Sequence, residues 1–399
     1  MRHDDGSKDR GFQEPGTPNL EPKCSVLIVG VSTRAAAESA ARAGFDVIAL
    51  DAYGDLDQHP SVRALSLPRD FATPFSPEAI VAAAGDIPTD AVVYLSSLEN
   101  HPAAVEKLAR GRTLWGCAPG VLRQVRNPRA LAAALTQRGI RTPRVVVAAA
   151  HAPSTGGAER WMLKPRMSGG GHGVRLWDGD EPVPPHHYLQ EFVSGIPASV
   201  VFVAANGRGS ALGMSRQIVG EDAFGASGFR YCGNILAASI EKEMAGAAIA
   251  LVDAVTAAFP LAGVGAIDVI AANSALWPIE VNPRWSASME LVERAHGVSM
   301  FGIHVDACAR AALPPFDLRR PWTAAGTVGK AVLFAREGIV ARDTSRWLND
   351  SSVRDIPPPG DRIAAGQPIC TVFAAGSDEA GCYGMLVERA ERIYAELAG

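Results

Sequence analysis

Two carboxylates stand inside neighbouring apolar, β-type runs, Ile267-Asp268-Val269 and Ile279-Glu280-Val281, and this arrangement restricts the chain more than any other. An ionised carboxylate is costly to bury, and two side by side cost more unless a cation lies between them. The connection is short and polar. A three-residue turn centred on Ser274 would make the runs antiparallel partners and set Asp268 opposite Glu280, with Cβ atoms about 5 Å apart. Oxygen ligands from Asp268, Glu280 and Asn282 suit Mg²⁺ (or Mn²⁺); Mg²⁺ usually takes one or two carboxylates and completes its shell with water and phosphate. Arg284, just past the second run, is placed to hold an anionic substrate or a phosphoryl group in transfer. The competing reading is an ordinary hairpin with two partly exposed acids and an Asn-Pro turn.

Upstream, Trp161-Met162-Leu163-Lys164-Pro165 reads as a strand ending in a lysine, followed by a glycine-rich tip, Ser168-Gly169-Gly170-Gly171, and a return strand through Val174-Arg175-Leu176. A lysine is a mobile point charge for a phosphate, and glycines let backbone N–H groups approach its oxygens. The lysine precedes the glycines and no Gly-Lys-Ser/Thr follows, which excludes a P-loop. A hairpin lid fits better than a P-loop, and a plain surface turn is the alternative. Further on, Tyr188-Leu189-Gln190-Glu191-Phe192-Val193 is a short apolar strand able to offer backbone groups to a flat heterocycle such as adenine.

The order of these parts, a lysine and glycine lid, a hinge strand, then Asp268, Glu280, Asn282, Pro283 and Arg284, resembles the ATP-grasp superfamily over roughly Asn127 to Arg284. The resemblance implies a fold that is α/β and α+β: an N-terminal parallel-sheet domain, a two-subdomain ATP-grasp fold that clamps Mg-ATP, and a small β-rich C-terminal domain like that of the biotin-carboxylase-related branch. It places the domains at residues 24–120, 121–320 (lid at about 142–192) and 321–399. By the same resemblance Lys164 contacts the α- and β-phosphates, Ser168 to Gly171 cover them, and Glu191, Phe192 and Val193 meet adenine. Asp268, Glu280 and Asn282 hold magnesium, and Arg284 stabilises a transferring phosphate or acyl phosphate. Two departures stand out. Arg129 occupies about the position of an earlier lysine, and the acid that meets ribose is absent after the hinge, where Ser199 is the substitute on offer.

The implied activity is ATP-dependent joining of a carboxylate to an amine through an acyl phosphate, with small-molecule partners and room for a homodimer. The narrower match is to ligases linked to one-carbon carrier biosynthesis. A bicarbonate-activating carboxylase and a non-catalytic ATP-binding protein remain as rivals.

The rest of the chain agrees. Its 399 residues exceed one core and imply two or three α/β units, while a net charge of −4 gives no footprint for nucleic acid. No apolar stretch is long enough to cross a bilayer. Residues 1–23 are polar and read as a disordered leader, and six scattered cysteines without a Cys-x-x-Cys pair favour reduced thiols in a cytoplasm. Ser25 to Gly30 reads as a buried strand opening a βαβ unit, but Gly30-Val31-Ser32-Thr33-Arg34 lacks the later glycines of a dinucleotide fingerprint. Ser32 and Arg34 stand where a carboxylate substrate could bind, or serve as a cap and a solvated cation. Glu99 and Asn100, after a strand over Ala91 to Leu95, are candidate partners of an amine or carboxylate, or helix caps. Arg216, on a strand after the Asn206-Gly207 turn, points either toward the γ-phosphate or outward.

Overall fold

The computed structural model describes residues 24–147, 159–179, 181–319 and 326–398. The leader expected at 1–23 and part of the expected lid, 148–158, lie outside them. Strand β1 (Ser25–Val29) is apolar almost throughout, and Val26 to Val29 are fully buried, as a strand covered on both faces requires. It pairs in parallel with β2 (Asp46–Asp51) and β4 (Ala91–Tyr94). β3 (Val62–Ser66) and β5 (Thr113–Leu114) complete a five-stranded sheet in the order β3-β2-β1-β4-β5. Helices α1 (Arg34–Arg42), α2 (Leu67–Asp70), α3 (Pro77–Gly85) and α4 (Pro102–Leu108) connect these strands. The sheet's carboxyl ends, where open parallel sheets bind ligands, face the rest of the molecule.

α5 (Pro119–Val125) and α6 (Pro128–Thr136) lead into the lid, a four-stranded sheet of β6 (Val145–Val146), β7 (Trp161–Pro165), β8 (Arg175–Leu176) and β9 (His187–Glu191) in the order β6-β9-β7-β8. Its core is small, Trp161, Leu163 and Leu189.

The main body is an eight-stranded antiparallel sheet. β10 (Ile196–Ala205) and β11 (Arg208–Val219) form a hairpin through Asn206 and Gly207, both at positive φ, the turn that this dipeptide favours. β12 (Tyr231–Leu236), β13 (Gly263–Ala272) and β14 (Ala275–Asn282) extend it, with α7 (Lys242–Ala258) packed on one face. On the other face α8 (Met289–His296) and α9 (Met300–Arg310) cover the half that carries Val201 and Val203, leaving the half at Pro197 and Ser199 open.

The C-terminal region adds β15 (Thr327–Phe334), β17 (Val353–Arg354) and β19 (Pro368–Gly376) to this same sheet, giving β14-β13-β10-β11-β12-β15-β19-β17. β16 (Ile339–Val340) and β18 (Arg362–Ile363) form a separate ribbon, and α10 (Glu379–Ala398) packs on β15 and β19. The β-rich closing region is thus continuous with the main sheet rather than set apart from it. All six cysteines are free. Among the described residues no helix is long and apolar enough to cross a membrane.

Candidate active site

A cavity of about 750 Å³ opens where three parts meet: the loops after β1 and β4 (Val31, Ser96, Ser97), the inner face of the lid, and the uncovered half of the main sheet. Asp268 and Glu280 lie on its floor as direct partners across β13 and β14. The pairing expected from the sequence is present, but the turn differs. It has two residues, Asn273 and Ser274, both at positive φ. Such a turn alone would set Asp268 opposite Ile279. A bulge at Ile279 shifts the ladder by one and restores Glu280 to that place. Pro278, which has no N–H to donate, is accommodated because β14 is the sheet's edge.

Asp268 accepts from Gln217 Nε2 at 2.9 Å and from Asn282 Nδ2 at 2.9 Å, and Ser199 hydrogen-bonds it as well. Burial and the neighbouring Glu280 charge push its carboxyl up to about 6, against the Ser199 hydrogen bond and the Arg284 and Lys164 charges. For Glu280, burial acts upward too, but Arg126, Lys164 and Arg284 outweigh it and hold the carboxyl below its ordinary value. Arg126 forms an ion pair with Glu280 and donates to Val281 O at 3.1 Å.

Lys164 is buried, donates to Gln190 Oε1 at 3.1 Å and lies over the Tyr188 ring. Burial would lower its pKa, yet Tyr188 and Glu280 reverse the shift, so the ammonium stays charged. Gln190 in turn donates to Ile279 O at 3.2 Å, which ties the lysine's partner to the bulge. Arg284 donates to Asn282 Oδ1 at 3.2 Å and pairs with the buried Glu99 at 2.7 Å.

The glycine tip is seated on the main body. Gly170 O accepts from Tyr231 N at 3.0 Å, and Gly171 lies so close that a Cβ there would stand 1.9 Å from Phe229 O. Ser168, Gly169, Gly170 and Gly171 line the cavity, as do Glu191, Phe192 and Val193 on the hinge side. The Glu191 carboxylate points outward to Arg144 at 3.2 Å, so only backbone at this position is available to a ligand.

Several expected site residues lie elsewhere. Arg129 is exposed on the first turn of α6 and does not line the cavity. Arg126 does, because the chain breaks between α5 and α6 there and turns its side chain inward. Arg216 pairs with Glu379 at 3.0 Å on the opposite side of the sheet; strand alternation gives the cavity to Gln217 instead. Ser199 lines the cavity and hydrogen-bonds Asp268. Arg34 is fully buried among Glu38, Glu290 and Asp355 and cannot meet a substrate. Phe229 and Tyr231, in the segment Gly225 to Asn234 that the sequence offers as a substrate-facing loop, line the cavity, and Arg126, Tyr188, Gln190 and Gln217 join them without a motif that marks them as site residues. Gln217 is readable in the sequence from the two-residue period, whereas Gln190 meets Lys164 only through the β7–β9 register.

The donor set fits a magnesium ion in part. Asp268 and Glu280 offer carboxylate oxygens from one side, and burial first, then the Glu280 charge, raise the Asp268 carboxyl, both of which a bound cation would offset. Asn282 is turned the other way, with Oδ1 toward Arg126 and Arg284, so it joins the set only with its amide reversed.

Residues 125–288 match the family model of the ATP-grasp domain. No curated protein sequence matches the chain. Among solved structures, Rhizobium etli pyruvate carboxylase superposes on 93% of the chain with a TM-score of 0.70 and 16% identity, and the chain spans 37% of that protein. An L-amino acid ligase from Bacillus licheniformis matches 94% of the chain over 98% of its own length, with a TM-score of 0.67 and 16% identity. A biotin carboxylase from Campylobacter jejuni, crystallised as a β-γ-ATP complex, matches 90% over 89% of its own, with a TM-score of 0.68 and 15% identity. At these identities the likeness is one of fold. Together with the lysine, glycine tip and paired carboxylates, the family match establishes that this chain carries an ATP-grasp domain at residues 125–288.

Proposed function

We propose that the protein is an ATP-dependent ligase that joins a carboxylate to an amine through an acyl phosphate, releasing ADP and phosphate. The observation that carries this reading is the Asp268–Glu280 pair lying beneath Lys164 and the glycine tip, with Arg284 beside it. Asp268 and Glu280 would hold Mg²⁺ or Mn²⁺, which when bound neutralises phosphate oxygens. Lys164 would hold the phosphates by charge, the Ser168–Gly171 backbone would cover them, and residues Glu191 to Val193 would edge the adenine. Covering them excludes water from the reactive acyl phosphate.

A carboxylate oxygen of the substrate attacks the γ-phosphorus, the bond to the β–γ bridging oxygen breaks, and ADP leaves. The amine nitrogen then adds to the acyl carbon, the carbon–oxygen bond breaks, and phosphate leaves as the nitrogen loses a proton. Neither step needs a protein nucleophile; placement and charge neutralisation supply the catalysis. Arg284 would stabilise charge on the transferring group. Arg216, paired with Glu379 on the far side, has no part in this.

A panel of acids and amines with Mg-ATP tests the reading. The expected result is ADP release that needs both partners, with a product whose mass equals their sum less water. ADP release that needs bicarbonate and no amine would favour carboxylation, to which the fold shared with biotin carboxylase also points. Nucleotide binding with no turnover on any pair would favour a non-catalytic protein.

A further inference from the structure

The turn that follows β4, Leu98–Asn100, reaches three parts of the phosphate machinery at once. Asn100 Oδ1 accepts from Arg126 Nε at 3.1 Å and Nη2 at 2.9 Å, a two-pronged grip on the guanidinium. Asn100 Nδ2 donates to Ser168 O, at the start of the glycine tip, at 3.5 Å. The adjacent Glu99 pairs with Arg284. Glu99 is buried to 1% exposure, and neither Glu99 nor Asn100 lines the cavity, so neither is placed to touch a substrate.

We propose that Asn100 is a positioning residue that makes seating of the lid and placement of Arg126 a single event. This rests on the functional reading above. An amide suits the task because it is neutral: its oxygen orients the guanidinium without cancelling the charge, and its nitrogen remains free for the lid carbonyl. With Asn100 in place, Arg126 is held toward Glu280 and the phosphates. When the tip lifts, the Ser168 contact is lost and the grip on Arg126 loses one of its anchors. Asn100 thereby contributes to ATP binding without lining the cavity.

The test uses the full chain with Mg-ATP as ligand, and two readouts. Asn100→Ala should weaken Mg-ATP binding about tenfold, the effect of losing a hydrogen bond to a charged group. It should also speed hydrogen exchange at Gly169 to Gly171 in nucleotide-free protein, with unchanged melting temperature. Asn100→Asp retains the acceptor and loses the donor, so it should speed exchange at the tip, and its carboxylate, which offsets the Arg126 charge, should leave Mg-ATP binding at least as weak as in Asn100→Ala. Wild-type affinity together with wild-type exchange in Asn100→Ala would overturn the proposal. Failure of the unmodified protein to bind Mg-ATP would instead sink the functional reading, and exchange at the tip in Asn100→Ala would still decide the contact between Asn100 and the lid.

Discussion

At the scale of single residues, Glu280 keeps its charge beside Asp268 because a guanidinium lies against it. Arg126 makes that contact, and Arg129, three residues on, is in solvent. Arg126→Ala is therefore expected to weaken Mg-ATP binding by ten- to a hundredfold, while Arg129→Ala stays within twofold; calorimetric titration of the two variants checks this. The reverse order would restore Arg129 to the site. The charge requirement was legible in the sequence, since an arginine near the start of that segment was expected. Which arginine was not, because the answer depends on the break between α5 and α6, where Asn127 caps the second helix and Arg126 leaves the register of the first. Arg216 and Gln217 give the same lesson on a strand. One of two neighbours must face the cavity, and the alternation gives that place to the amide rather than to the charged side chain.

At the scale of elements, the lid is held by backbone contact rather than by a large core. Gly171 has φ of +74° and lies against the Phe229 carbonyl. A methyl group there meets backbone that cannot yield cheaply, and the left-handed conformation costs about a further 1 kcal/mol for an L-residue. Gly171→Ala should unseat the tip and speed amide exchange at Tyr231, leaving β1 protected. Unchanged exchange at Tyr231 would show that the tip does not rest there. The glycines announce a close approach; the segment they approach, before β12, reads in the sequence as a substrate-facing loop, and nothing local there encodes its contact with the tip. The Asn206-Gly207 hairpin was readable because its turn chemistry is local. The Asp268–Glu280 register came out as expected from a turn of the wrong length, because the bulge at Ile279 compensates for one residue, and bulges leave little trace in composition.

At the scale of the whole molecule, the cavity has no single owner: the parallel sheet gives Ser96 and Ser97, the lid gives Lys164, and the antiparallel sheet gives Asp268 and Glu280. A ligand that fills it binds the assembled molecule only, so its binding energy adds to the stability of the fold, by about 2.7 kcal/mol at a hundred times its dissociation constant. The three-part architecture was legible from the buried parallel strand, the lysine and glycine hairpin and the acid pair. The continuity of the C-terminal strands with the main sheet was not, since β15 and β19 pair across long sequence separations that no local pattern encodes. The measurement that tests the central claim most directly is thermal unfolding with ATP, with and without Mg²⁺, in the unmodified protein and in Glu280→Gln. The account predicts a rise in melting temperature that needs both nucleotide and metal and is lost in Glu280→Gln, whose ligand-free melting temperature stays within a few degrees. An equal, metal-dependent rise in the variant would contradict it.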